Sequence, residues 1–168
     1  GHALFFDARL SANGQVSCAS CHQPELRFTD GLDKAKAIGL SRRNTPSIVG
    51  LAYSPWLYWD GRRDSLWSQA LSPLEDPQEQ ASNRMHIAQL VTQDPQYRVM
   101  YQSIFGDLPD FSDRSRFPEH AGPGLKTAWY EAWEMMSKED QQLVNTTFAN
   151  VGKAIAAYER LLVPAPAR

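Results

Sequence analysis

Cys18-Ala19-Ser20-Cys21-His22 constrains this chain more than any other stretch of it. Cysteines three positions apart fall on one side of a helical turn, where each thiol can add to one vinyl group of the same porphyrin. A histidine directly after them projects under the ring and offers a neutral imidazole nitrogen to iron. The motif therefore reads as the attachment site of a c-type haem, with Cys18 and Cys21 as thioether residues and His22 as proximal iron ligand. Two other uses of paired cysteines fit less well. A thiol redox pair is expected beside a βαβ pattern, and none surrounds this motif. A zinc site needs a second pair of ligands, and these are the only two cysteines in the sequence. One covalent haem per chain is expected.

The 168 residues suit one domain, or one plus a small appendage, large enough to build a core around a porphyrin. Seventeen Lys and Arg against nineteen Asp and Glu leave a net charge of −2, which invites neither nucleic-acid nor polybasic membrane binding. The longest apolar runs fall far short of a membrane span. The chain opens on Gly1-His2-Ala3-Leu4 without a signal-peptide pattern. Haem is joined to this motif outside the bacterial cytoplasm, so a mature, processed periplasmic chain is expected. Two cysteines consumed by haem leave none for disulfides, so location follows from the haem and not from cysteine counting.

Strand signals are poor and helical ones recur. The expected fold is all-α, a c-type cytochrome fold with long loops around one covalent haem over residues 1–168. A short helix is predicted over 1–8 with Leu4 and Phe5 inward, and the haem turn over Gly14 to Pro24. From Phe28 to Pro55 the abundance of Gly, Ser, Asn and Pro predicts loop. Helices are predicted over Asp64 to Leu71, stopping before Pro73, over Arg84 to Thr92, and over Pro95 to Phe105. Residues 107–124 read as a surface insertion. Ser137, Glu139 and Asp140 open the last helix. Its apolar stripe is Val144, Phe148, Val151, Ile155, Tyr158 and Leu162, and Pro164 and Pro166 end it.

The haem turn has company in the sequence. Leu4-Phe5-Phe6-Asp7 precedes it and Phe28-Thr29-Asp30-Gly31 follows it. Then come Arg43-Asn44-Thr45-Pro46, Tyr58-Trp59-Asp60-Gly61-Arg62, Gln69 with Pro73, Glu79, and Ala157-Tyr158-Glu159-Arg160. In this order and spacing they resemble the N-terminal haem domain of the bacterial di-haem cytochrome c peroxidase and MauG-like family, over nearly the whole chain. The resemblance implies that His22 holds the peroxidatic haem iron and that Gln69, Pro73 and Glu79 line its distal side. Glu79 would be the carboxylate that handles the peroxide proton. A poorly solvated carboxyl can be tuned for that task, whereas composition alone would make Glu79 one more solvated loop acid. Glu79-Gln80 stands where the family often has Glu-Met.

By the same resemblance, Trp59 matches the tryptophan lying between two haems. Its neighbours Trp56 and Tyr58 read as core filling. Asn44 matches a residue whose side-chain oxygen helps to hold calcium, although an Asn before Thr-Pro is also a common turn former. No histidine lies between His22 and Asn44, so the distal iron position is expected to be open, as in MauG-like members. His2, His86 and His120, with Met85, Met100, Met135 and Met136, read as surface or packing residues. No second Cys-x-x-Cys-His is present, so a second haem is expected on a missing C-terminal half or on another polypeptide.

Three functions remain in view. The first is a periplasmic peroxidase domain that reduces hydrogen peroxide with electrons relayed from a second haem, itself supplied by a small cytochrome or cupredoxin. The second is a MauG-like oxidase whose oxidising equivalents modify Trp or Tyr of a protein substrate. The third is a mono-haem electron-transfer cytochrome. The distal Gln69 and Glu79 argue against the third.

Overall fold

The computed structural model describes residues 1–124 and 127–164. Among these residues it is helical, with three isolated β-bridges and no strand. The helices are α1 (His2–Phe6), α2 (Cys18–Cys21), α3 (Leu66–Glu75), α4 (Arg84–Gln93), α5 (Pro95–Phe105), α6 (Thr127–Met135) and α7 (Lys138–Glu159). Short 3-10 turns lie at Ala8–Leu10, Pro24–Leu26 and Leu51–Tyr53. The all-α expectation therefore holds, with long irregular connections from residue 27 to 65.

The chain forms two compact units. The first comprises Gly1–Ala81 and the chain from Val151 onward, and the second Ser82–Asn150. In the first, Leu4 and Phe5 of α1 are buried as expected. The Phe5 ring lies 5.1 Å from Tyr158 and 6.3 Å from Phe28, so α1, the loop after the haem motif and the end of α7 share one aromatic cluster. Leu57, Leu66 and Ala156 form a second small core. Gly152 has a packing role: a Cβ there would sit 2.6 Å from the Trp67 carbonyl and 2.8 Å from the Leu71 side chain. Only a residue without a side chain lets α7 approach α3 so closely.

α3 corrects one expectation. It does not stop before Pro73 but carries that proline inside and runs to Glu75. Proline lacks the N–H that would bond the Gln69 carbonyl. The turn persists because Leu74 is fully buried and the Asp76 N–H donates to the Ser72 carbonyl at 3.0 Å.

In the second unit α4 and α5 lie close to their predicted bounds. The Asn83 side chain caps α4 by accepting from the His86 N–H at 2.9 Å, and Asp94 caps α5 through Gln96 and Tyr97. The surface character expected of residues 107–124 does not extend to Phe111, Phe117 and Ala121. All three are buried with Met85, Ala88, Trp133, Met136 and Val144. That segment has no helix, yet it supplies two aromatic rings packed edge to face at 5.0 Å. α6 was not anticipated; the local signal for it is slight, Trp133 within it and Met136 just after it being buried apolar residues three apart. Met85 and Met136 are core residues, whereas Met100 and Met135 are exposed.

Ser137 opens α7 as expected, its hydroxyl accepting from the Asp140 N–H at 3.1 Å. Val144, Phe148, Val151 and Ile155 are buried along the predicted stripe. The helix ends at Glu159, and Leu162 already belongs to the following turn, ahead of Pro164. Pro166 lies outside the described residues.

Gly152→Ala tests the α3–α7 contact. On an open helix face the change would stabilise by about 1 kcal/mol. Here it should instead destabilise, by about 1–3 kcal/mol from overpacking. Denaturant unfolding followed by helical circular dichroism measures the sign.

Candidate active site

The haem motif is a four-residue helix with a local reason to form. Ser17 and Ser20 make a reciprocal capping box, the Ser17 N–H donating to the Ser20 hydroxyl at 3.0 Å. The turn places both cysteines on one short element, and both are free and half-buried. Burial and the nearby Glu159 carboxylate push the Cys18 thiol up to about 12. Burial, then Asp30 and Glu79, push Cys21 up to about 11. A redox pair needs a stabilised thiolate, and these surroundings do the reverse. Neutral sulfur, as in a thioether, suits them.

His22 is held from behind. Its Nδ1 lies 3.0 Å from the Phe28 carbonyl. Burial lowers its pKa, against the opposing pull of Phe28, Asp30 and Pro46, and so keeps the imidazole neutral. With Nδ1–H donating to a carbonyl, Nε2 carries the lone pair, the tautomer a metal requires. The loop that follows exposes Leu26, Leu32, Ile38 and Leu40, an apolar set suited to a flat macrocycle. Two neutral sulfurs, one oriented imidazole and this apolar loop fit a covalent haem.

Backbone strain concentrates here. The non-glycine residues with left-handed φ among the described residues are Arg27, Phe28, Tyr58 and Ala81. Phe28 supplies the carbonyl to His22, Tyr58 precedes Trp59, and Ala81 closes the Glu79 loop. Such conformations persist only where the surroundings over-determine them.

Glu79 is half-buried in the loop after α3. Burial, then the Asp76 charge, raise its carboxyl to about 7, against the opposing pull of Arg62. Glu79 is thus poised near neutrality and is not an ordinary solvated acid. Tyr58 lies near it: burial and the Glu79 charge raise its hydroxyl, against the opposing pull of the nearby Ser72 and Gln69 side chains and of Arg62. The Arg62 guanidinium stacks 3.5 Å over the Tyr58 ring. Arg63 holds this turn to α3 through Ser72, at 3.2 and 3.1 Å, and the Leu57–Arg63 bridge closes it.

The structure therefore brings Glu79, Gln69, Tyr58 and Arg62 together, with Pro73 one turn beyond Gln69 on α3. Tyr58 and Arg62 were not expected in this group. Tyr58 is not core filling but half-buried, with a positive φ that is invisible in sequence. Trp56 is not core filling either, being 64% exposed. Trp59 is 60% exposed on the same turn. Asn44 is exposed, and among the described residues no three His, Cys, Asp or Glu side chains are grouped to hold a metal ion. His2 stacks on Phe6 and Tyr158, and His120 on Trp129, consistent with packing roles. No helix of the described residues is long and apolar enough to cross a membrane.

Comparison with known proteins places this geometry in a family. MauG of Methylorubrum extorquens, a methylamine utilization protein, is 41% identical over 108 residues, 63% of this chain and 31% of the relative. Cytochrome c551 peroxidase of Pseudomonas aeruginosa is 28% identical over 167 residues, 97% of this chain and 38% of that protein. The diheme peroxidase BthA of Burkholderia thailandensis superposes with a TM-score of 0.71 at 22% identity, covering 97% of this chain and 38% of that one, a likeness of fold. The chain thus spans about a third of the length of the proteins it matches. The profile described as "Di-haem cytochrome c peroxidase" matches residues 1–168, and the chain belongs to the di-haem cytochrome c peroxidase family.

Proposed function

We propose that this chain is the peroxide-reacting haem domain of a periplasmic di-haem peroxidase, which reduces hydrogen peroxide with electrons relayed from a second haem domain. The observation that carries the reading is Glu79, a carboxyl raised to about 7 by burial and set near Tyr58 and Arg62, close enough to Cys21 for its charge to act on the thiol. Cys18 and Cys21 would hold one haem c through thioethers, and His22 would ligate its iron through Nε2. When bound, the haem supplies the redox-active iron at which the O–O bond is cleaved.

The chain's own residues manage protons and access. In its ionised form the Glu79 carboxylate accepts a proton from hydrogen peroxide, then returns it to the departing oxygen as water forms. Gln69, on α3 near Tyr58, would offer an amide that orients the substrate. Pro73 removes one N–H from α3 and leaves the Gln69 carbonyl without its helical partner. Arg62 limits how far the Glu79 carboxyl rises, so that both protonation states are accessible near pH 7. Trp59, at the exposed tip of its turn, would carry electrons to or from the second haem. Asn44 would contribute one oxygen to a calcium site completed by groups outside this chain. The electron donor would be a small cytochrome or cupredoxin.

A second reading is a MauG-like oxidase that passes oxidising equivalents through Trp59 to Trp or Tyr of a partner protein. The exposure of Trp59 and the 41% identity to MauG favour it. A mono-haem electron-transfer cytochrome is disfavoured, since it has no use for a carboxyl poised as Glu79 is.

Covalent haem should follow the polypeptide on a denaturing gel stained for haem, and a Cys18→Ala/Cys21→Ala double variant should lose it. Retention of covalent haem in that variant would remove the attachment assignment.

Glu79 accepts a proton only when ionised, so the peroxide reaction rate should climb as pH rises through about 7. Glu79→Gln should bind haem normally, lose that climb and react at least about tenfold more slowly at pH 8, about 1.4 kcal/mol in the barrier. Stopped-flow mixing reads both. A variant within about threefold of wild type would make Glu79 an ordinary loop acid.

In the two-haem assembly, Trp59→Phe should leave the first peroxide step nearly unchanged and slow electron sharing with the second haem, because Phe is harder to oxidise. Rapid-freeze spectroscopy distinguishes these steps, and equal sharing in both forms would reduce Trp59 to a surface aromatic.

A further inference from the structure

Gln80, next to Glu79, is an odd residue to bury. It is 3% exposed, and its side-chain carbonyl oxygen Oε1 has no hydrogen-bond partner. An apolar residue of similar length would avoid the cost of an unpaired buried carbonyl. A local rule broken in this way points to a use elsewhere in the side chain.

The other end of the amide supplies the use. Gln80 Nε2 donates to Cys18 Sγ at 3.6 Å, across 62 positions of sequence. The Gln80 backbone is engaged on both sides as well. Its N–H donates to the Pro73 carbonyl at 3.1 Å, and its carbonyl accepts from the Ala12 N–H at 2.9 Å. One residue thereby joins α3, the segment before the haem motif and the first attachment cysteine. The opposite flank of the loop is held by backbone alone, the Ile38 and Gly39 N–H groups donating to the Glu79 and Gln78 carbonyls at 3.1 and 2.9 Å.

Thioether chemistry separates the two cysteine contacts. Cys21 donates its S–H to the Lys36 carbonyl at 3.8 Å. Attachment of a porphyrin consumes that hydrogen, so this bond cannot survive it. Cys18 is the acceptor in its contact, and a thioether sulfur still accepts. Of the two, only the Gln80 bond persists in the loaded protein.

We propose that Gln80 is a positioning residue for Glu79, its amide anchored on the Cys18 sulfur so that covalent haem attachment and the placement of the Glu79 carboxyl are mechanically linked. This rests on the haem and Glu79 roles proposed above. Gln80 touches neither peroxide nor iron and acts through its neighbour.

The test uses the haem-loaded protein and Gln80→Met, which preserves length and removes the amide. Covalent haem per chain, measured by pyridine haemochrome absorbance and intact mass, should stay at the wild-type value. The rate constant with hydrogen peroxide should fall about tenfold or more, and by less than about threefold when the change is made in the Glu79→Gln background. The haem midpoint potential should also fall, because the amide no longer draws electron density from the sulfur. A merely structural role would not lower it. Should Gln80→Met fail to accumulate, Gln80→Asn, whose amide is too short to reach Cys18, carries the same expectations. A rate within threefold of wild type, or an unchanged potential, with haem still attached overturns the inference and leaves the haem assignment standing. Wild-type chain without covalent haem, or a Glu79→Gln variant as fast as wild type, overturns the underlying reading and this inference together.

Discussion

The hydrogen bond between His22 and the Phe28 carbonyl is the constraint on which the first unit depends. It fixes the tautomer of the imidazole, and it can form only because Arg27 and Phe28 both adopt left-handed backbone conformations. That strained reversal folds the chain back after the motif, closed by the Gln23–Thr29 bridge. It also carries Phe28 into the aromatic cluster around Phe5. The cluster ties the haem motif to α1 and to Tyr158 at the end of α7. A region with so little regular structure is thus held by a few fixed points, each of which bears on His22.

Electrostatics around the two cysteines follow from the same enclosure. Glu159 acts on Cys18, and Glu79 on Cys21. Both carboxyls are raised from 4.5 to about 7, in each case chiefly by burial. A carboxyl raised on folding binds its proton more tightly in the folded state. The stability it favours is therefore present below about pH 4.5 and is lost as pH climbs toward 7. Such groups are a cost at neutral pH, which is the usual sign of chemistry taking precedence over stability. For Glu79 the chemistry proposed is proton transfer. Glu159 Oε2 has no hydrogen-bond partner, and its charge acts on Cys18.

That Cys18, Cys21 and His22 share one short turn was legible because their spacing along the chain fixes it. The helices α4, α5 and α7 were legible for a similar reason, since caps and apolar periodicity are local. Pro73 misled because the burial of Leu74, not propensity, decides where α3 ends. Phe111 and Phe117 were missed because a run of Asp, Ser and Pro reads as solvated, and nothing local says that its two aromatic rings find a core. Tyr58 and Trp56 were misread in one direction, as core, because aromatic residues are buried by default, whereas the closed Leu57–Arg63 turn leaves Trp56 exposed and Tyr58 half-buried.

By itself the sequence determined the Cys-x-x-Cys-His motif, the helical class and the family, since each is written in residues close together or in a fixed order. Tertiary structure alone decided which side chains surround Glu79, that the Gln80 amide meets the Cys18 sulfur, and that Tyr58 lies near both Gln69 and the carboxyl. These contacts join segments up to 62 positions apart. Their geometry rests on positive-φ turns and on burial, and neither a backbone angle nor a desolvation energy is a property of any one residue.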